Sequence, residues 1–505
     1  MKLSLAILLL IVCLRGINQT SYTGNAFSVG SGCGAAFNID DNALNTNTSN
    51  LGWQSQFSDH KLSVSLQETN LASFSPVVSY SVRKFFQASR YDSLTGSEAR
   101  APLSLPRESF FGGNDSVTYD TLVHYSQRLE LKEALMKNNQ FKFNTTDIGF
   151  TVVTPASGTF SVHVGREFSG KFRISDNLSD LWVLGKIAPY YDTLVLYDGK
   201  KLPNDSTFYE NHILHEVAHA YSADSVSLAD QLDDTEVAYM SVRNYTLGWG
   251  SVFNSPFAGF DLYLGGNINL IEGLGYFHFY GQDGIINVDL AGSNVINGRR
   301  ANAGMGASLS FGGTLVKNNK LFLSMAINNI GAIRWSERKG GTSALFDSEN
   351  DTGFFAYPFG TNNYFQFNDQ WEEAGINIAN GTTVGTSGVS FWRATAGNLT
   401  LGSKILAGNH FAFGGDAIIP INGRALGGYE HAYIAAAAQM YFNKFGMTSG
   451  VNNFNQALNI PLGFTFGSQA TQIEFTLSTA DVLAYFKKDN DLSFSLAFGT
   501  KFRFR

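Results

Sequence analysis

The sequence predicts an all-β fold: a transmembrane antiparallel β-barrel of roughly 12–16 strands, interrupted by short helical insertions. Three observations carry this. Charged residues make up only 15% of 505 residues, under the roughly 25% of soluble chains, while 52 Gly, 42 Phe and 21 Tyr stand against 10 Pro. Apolar residues recur at every second position in run after run, which puts them on one face of a strand. The last fourteen residues, LSFSLAFGTKFRFR, keep Leu492, Phe494, Leu496, Phe498, Phe502 and Phe504 on one face, broken by Thr500. A soluble sandwich also alternates but buries its apolar face and carries more charge, whereas a barrel turns that face to lipid and keeps a polar lumen.

In chain order, Lys2 and the apolar run Leu3 to Leu14 read as a secretory leader over residues 1–20, with the cut between Gly16 and Tyr22. Cys13 falls in the leader and Cys33 is left alone, so the mature chain has no internal disulfide. Residues 21–60 form an N-terminal segment, a candidate luminal hatch, and residues 61–505 form the barrel. Alternation marks Leu62, Val64 and Leu66, then Ile148 to Val152, Phe160 to Val164, Phe260 to Leu264, Met305 to Phe311, Leu321 to Ile327 and Phe411 with Phe413. VKNNK at 316–320 reads as a tight hairpin. Two stretches break the pattern. A short helix is predicted at 122–138, with Leu129, Ala134 and Leu135 available for packing, and a helical or loop insertion at 205–240. No segment offers 18 uninterrupted apolar residues, which excludes a helical membrane span.

The block FNIDDNALNTNTSNLGWQSQF is similar to the Asn-rich N-terminal segment of FadL-like and PorV-like outer-membrane barrels, with Asn-Thr-Asn at 45–47 in place of their Asn-Pro-Ala. Leu129 to Lys186, with VRNYTLGWG and the Asn329, Gly331, Ile333 and Trp335 strand end, resembles a Bacteroidota outer-membrane barrel family known as a domain of unknown function. These motifs are signatures of strands and turns. They imply an architecture and an outer-membrane location in a Gram-negative bacterium, and no activity.

HEVAH at 215–219 is the sharpest competing signal. On a helix, His215 and His219 would share a face to bind one Zn²⁺ and Glu216 would activate its water. His212 is about 10 Å from His219 along such a helix, too far to close on the same ion. Glu236 stands where some zinc peptidases place a glutamate ligand. The run between flanking strands is too short for a peptidase domain. The ordinary alternative is an amphipathic helix packing through Ile213, Val217, Ala220 and Tyr221. No metal is expected at His215 and His219, and no catalytic or cofactor-binding residues are assigned. DSENDTG at 347–353 begins like a calcium loop but has Gly353 one place late and Pro358 where the closing glutamate belongs. The glycines of GGNINLIEGLG lack a nucleotide loop's strand-to-helix setting and suit close-packed barrel positions.

The net charge of −7 is not concentrated in runs, so nucleic acid is excluded as a partner. The FadL-like part of the resemblance implies a channel for small hydrophobic solutes, and no enzymatic activity is expected. The alternative is a non-transporting adaptor that docks secretion-machinery proteins, and in both readings the outer face meets outer-membrane lipid.

Overall fold

The computed structural model describes residues 26–57, 61–77, 131–154, 157–183, 192–204, 217–221, 232–253, 261–282, 285–292, 303–336, 390–408, 410–423, 425–428, 431–442, 445–453, 458–467, 473–485 and 494–504, with isolated positions between 255 and 301. Sixteen strands form one sheet, and fourteen of them close on themselves as an antiparallel barrel. These are β1 (Leu62–Phe74), β2 (Asn139–Thr154), β3 (Gly158–Arg173), β4 (Glu236–Phe253), β5 (Asp261–Gln282), β6 (Gly304–Lys317), β7 (Leu321–Trp335), β8 (Asn398–Ala407), β9 (Phe411–Pro420), β10 (Tyr433–Phe442), β11 (Phe445–Asn452), β12 (Leu462–Phe466), β13 (Ile473–Thr479) and β14 (Phe494–Phe504). The ring closes where β1 pairs with β14, Leu62 against Phe504. The remaining two strands, Ile285–Gly292 and Phe391–Ala394, extend the wall at one end by pairing with β5 and β7.

Alternation decides which way each side chain faces. On β14, Ser495, Ala497, Lys501 and Arg503 are buried while Leu496, Phe498 and Phe504 are exposed. On β3, Ser161 and His163 point inward, and Phe160, Val162 and Phe168 point outward. An apolar outer belt around a polar interior is the transmembrane-barrel arrangement. No described helix is long and apolar enough to cross a membrane.

The short connections between consecutive barrel strands among the described residues lie at one end. Thr154 to Gly158 is one, and Lys317 to Leu321 is another, where Asn318 and Asn319 take φ of 50° and 54°, the left-handed pair of a type I′ hairpin that the right-handed strand twist favours. The long connections, 75–138, 174–235 and 336–397, all leave the opposite end. This asymmetry distinguishes the periplasmic turns of such barrels from their outer loops.

The segment from residue 26 to 57 lies inside the barrel. It contains helix α1 (Ala26–Ser31), a 3₁₀ turn at Asp40–Asn45 and helix α2 (Asn50–Phe57). Its backbone runs so close to the wall that glycine is required there: a Cβ on Gly265 would lie 2.5 Å from the Thr48 carbonyl oxygen, and one on Gly52 2.8 Å from that of Ser251.

Outside the ring the sequence reading needs adjustment. Residues 131–136 are helical with Leu131, Ala134 and Leu135 buried, while 122–130, including Leu129, lie outside the described residues. In 205–240, expected as a helical or loop insertion, the described residues include a strand, Val217–Tyr221, which pairs antiparallel with Thr193–Leu196 in a small three-stranded sheet, and from Glu236 the chain is already in β4. The leader and the loop at 347–353 also fall outside the described residues.

Candidate functional site: the luminal vestibule

The inner segment is held by polar contacts to inward residues of the wall. Lys501 Nζ sits 3.3 Å from Asp40 Oδ2 and from Asp41 Oδ1, and Arg503, which also pairs with Glu474, reaches Asp40 Oδ2 at 3.2 Å. Ser65 donates to Asp41 Oδ1 at 2.7 Å. Burial alone would raise both aspartyl pKa values. Lys501 and Arg503 outweigh it at Asp40, Lys501 and His163 outweigh it at Asp41, and both carboxyls are held below the usual carboxylate range.

Asparagines do much of the remaining work, each satisfying backbone groups of an irregular segment that has no sheet to join. Asn50 Nδ2 donates to the carbonyls of Ala35 (2.8 Å) and Asn38 (2.9 Å). From the wall, Asn267 donates to Leu44 O and Thr48 Oγ1, both at 2.7 Å, and Asn328 to Thr46 O at 2.9 Å. Asp416 on β9 accepts the N–H groups of Gly34 (2.5 Å) and Ala35 (2.8 Å). On the neighbouring strand the Lys404 ammonium lies over the rings of Phe37 (5.0 Å), Trp53 (5.4 Å) and Phe322 (5.7 Å), two of which belong to the inner segment.

Above this floor, toward the long loops, is a cavity of about 860 Å³, in the range of small-molecule sites. Strand register divides its wall into three zones. At the base, His163, Thr246, Asn269 and Ser308 stand side by side on β3 to β6. Higher up comes an apolar belt of Met240, Val242, Ile271, Tyr276 and Ile333, against which Phe391 and Leu426 pack. At the mouth the groups are charged: Glu236 Oε1 meets Lys171 Nζ at 2.7 Å and His278 Nε2 at 2.9 Å, Arg393 pairs with Asp289 and donates to Tyr276 Oη at 3.1 Å, and Lys142 meets Glu167 at 2.8 Å.

One side of this chamber is irregular. Gln67 adopts φ 51°, and the register of β1 shifts between Leu66 and Thr69 while that of β2 shifts between Thr146 and Ile148. The pairing of β1 with β2 passes from Leu66/Ile148 to Glu68/Thr146, so the two bulges face each other. Here the cavity lining takes in Thr69, Thr145 and Arg166, whose strand positions turn them outward. On the outer face beside this break, Arg166 pairs with Asp147 (3.3 Å), Arg243 with Glu272 (3.3 Å), and Tyr245 donates to Glu272 (3.0 Å). These ions are enclosed by apolar surface, with Val162, Leu247 and Leu270 on one side and Phe168, Tyr239 and Phe277 stacked on the other.

Of HEVAH the structure describes Val217 to His219. His219 lies in an extended strand, in which residues four apart are not brought one helical turn from each other, and His215 lies outside the described residues. Glu236 belongs to the vestibule mouth. Among the described residues no group of three His, Cys, Asp or Glu could hold a metal ion. GGNINLIEGLG runs along β5, with Gly265 under Thr48. Sequence reasoning missed the vestibule, because its members are spread over strands β1 to β7, the inner segment and the stretches around 395 and 425, and no contiguous run of residues signals it.

Fold and site together define a transmembrane β-barrel with an occupied lumen and a chamber above the occupant. No protein-family model matches the chain, and no curated protein does. Among solved structures the chain is similar to a TodX deltaS2S3 mutant monoaromatic hydrocarbon channel (8% identity, 96% of this chain and 99% of that one, TM-score 0.45). It is also similar to a Pseudomonas aeruginosa FadL homologue (10%, 97% and 100%, 0.42) and to the P. putida toluene transporter TodX (9%, 95% and 96%, 0.34).

Proposed function

We propose that this protein is a channel of the Gram-negative outer membrane for small hydrophobic solutes. The observation that carries the reading is the three-zone vestibule: a loop-side chamber with an apolar belt, closed below by the inner segment and interrupted sideways at the facing bulges of β1 and β2. The inner segment acts as a plug. A straight path must break its contacts with Lys501, Arg503, Asn267 and Asn328, whereas a path through the bulges leaves them intact. An apolar solute gains free energy by leaving sideways into lipid, so the gradient from water to belt to bilayer drives passage without an energy source. No catalytic chemistry is needed.

The test is uptake of radiolabelled toluene by cells expressing the protein against cells carrying empty vector. Uptake above the control is expected, and equal uptake would overturn the reading. Oxidised Gln67→Cys/Asp147→Cys, which staples the two bulges, should reduce uptake until a reductant is added. Full uptake through the stapled barrel would exclude the sideways exit.

A further inference from the structure

We propose that Leu426 is a tethered competitor of the solute: it occupies the apolar belt in the resting protein and must leave before the belt can be used. This rests on the channel reading above and deepens it by naming what guards its site.

The belt is already covered. Val242, Ile271, Tyr276 and Ile333 are each 6% exposed or less, and Leu426 packs against their cluster. Leu426 is not part of the wall. It belongs to the connection between Pro420, where β9 ends, and Tyr433, where β10 begins. β2 lies seven strands from β9 by either route around the fourteen-strand ring, so the described stretch 425–428 reaches across the mouth to the opposite side. There Lys142 Nζ donates to Gly427 O at 2.9 Å. Gly427, at φ 79°, stands so close to β3 that a Cβ on it would lie 3.5 Å from that of Ser169. On the near side the Ile421 N–H donates to Gly397 O at 2.9 Å.

Two properties make this contact reversible. Lys142 keeps Glu167 at 2.8 Å when the Gly427 carbonyl leaves for water, so release strands no buried ion. The apolar contact is exchanged and not lost, because an entering solute replaces the leucine's buried surface with its own. The exchange also selects: a polar solute cannot replace that surface and leaves Leu426 seated.

Toluene binding to the purified, detergent-solubilised protein, measured by calorimetry against protein-free micelles, tests this. Leu426→Ala removes the competitor and should bind toluene about tenfold more tightly than the parent, the factor expected when a leucine no longer has to be displaced. Ser169→Cys/Gly427→Cys holds the leucine in place, since the Cβ spacing suits a disulfide. Oxidised, it should bind toluene about tenfold more weakly than after reduction. The strain of a side chain at position 427 is common to both forms and cancels in the comparison. If Leu426 is a fixed part of the solute site, Leu426→Ala binds no better than the parent, which overturns the proposal and leaves the channel reading standing. Equal binding by the oxidised and reduced staple overturns it as well. Binding of toluene by none of these forms overturns both.

Discussion

Arg503 places its Nη2 3.2 Å from Oδ2 of Asp40, joining residues 463 positions apart in the chain. Neither group is accessible, so the pair gains from the low local dielectric and each partner depends on the other. Asp40→Asn leaves Arg503 with Glu474 alone and Lys501 with Asp41. It should destabilise the seated plug by about 3 kcal/mol while leaving the barrel closed. Planar-bilayer recordings would show frequent large openings absent from the parent, and the unboiled protein would keep its fast gel mobility.

Acid should have the same effect. Asp40 and Asp41 titrate below the ordinary carboxylate value of about 4, so their ionisation stabilises the seated plug at all higher pH. That contribution falls away as pH drops from about 4 through their depressed values. Conductance should therefore be flat from neutral pH to about pH 5 and rise below about pH 4, and a rise centred near pH 6 would implicate other groups.

Lys404 tests a different kind of contact, since its ammonium meets three aromatic faces. Lys404→Met keeps a long polarizable chain among the rings and should change thermal stability by less than about 1 kcal/mol. Lys404→Ala empties the cage and should lose about 2 kcal/mol or more. Melting curves would show Lys404→Met losing nearly as much as Lys404→Ala if the positive charge itself mattered most.

Gly265→Val should unseat the plug without opening the wall, because the added carbons run into the Thr48 backbone and not into a side chain that can turn away. Limited proteolysis should then cut within residues 40–57 in the variant and spare the parent, with strand content by circular dichroism unchanged.

On the lipid-facing surface, Glu272→Leu strips Arg243 of its carboxylate and should destabilise the barrel by about 2–4 kcal/mol. Adding Arg243→Leu should restore most of that loss, as expected where an ion pair is replaced by apolar surface. Urea titrations in micelles would show no recovery if the arginine were stabilised by something other than Glu272.

The barrel was legible because period-two alternation is local: the faces of β3, β6, β7 and β14 can be read without knowing their neighbours. VKNNK was legible for the same reason, two asparagines tolerating left-handed backbone in a two-residue turn. HEVAH was ambiguous because its spacing has meaning only on a helix, and a single sequence does not show that Val217–Tyr221 pairs as a strand. The vestibule was illegible because Asn144, Asn244 and Arg393 come to line one chamber only through pairing across many strands, which a single sequence does not reveal. The inner segment lay between these cases. Its Asn-rich composition marked it as different, but the partners Lys501 and Arg503 stand at the other end of the chain.

The seam between Leu62 and Phe504 has a bearing on biogenesis. Neither β1 nor β14 has its second neighbour until the other arrives, so the cylinder stays an open ribbon until translation has passed residue 504. Lys501 and Arg503 ride on that same last strand, so the step that completes the wall also delivers the cations that Asp40 and Asp41 await. Closure and seating are then a single late event, and an assembly intermediate trapped before it would carry two exposed sheet edges and an unanchored N-terminal segment together.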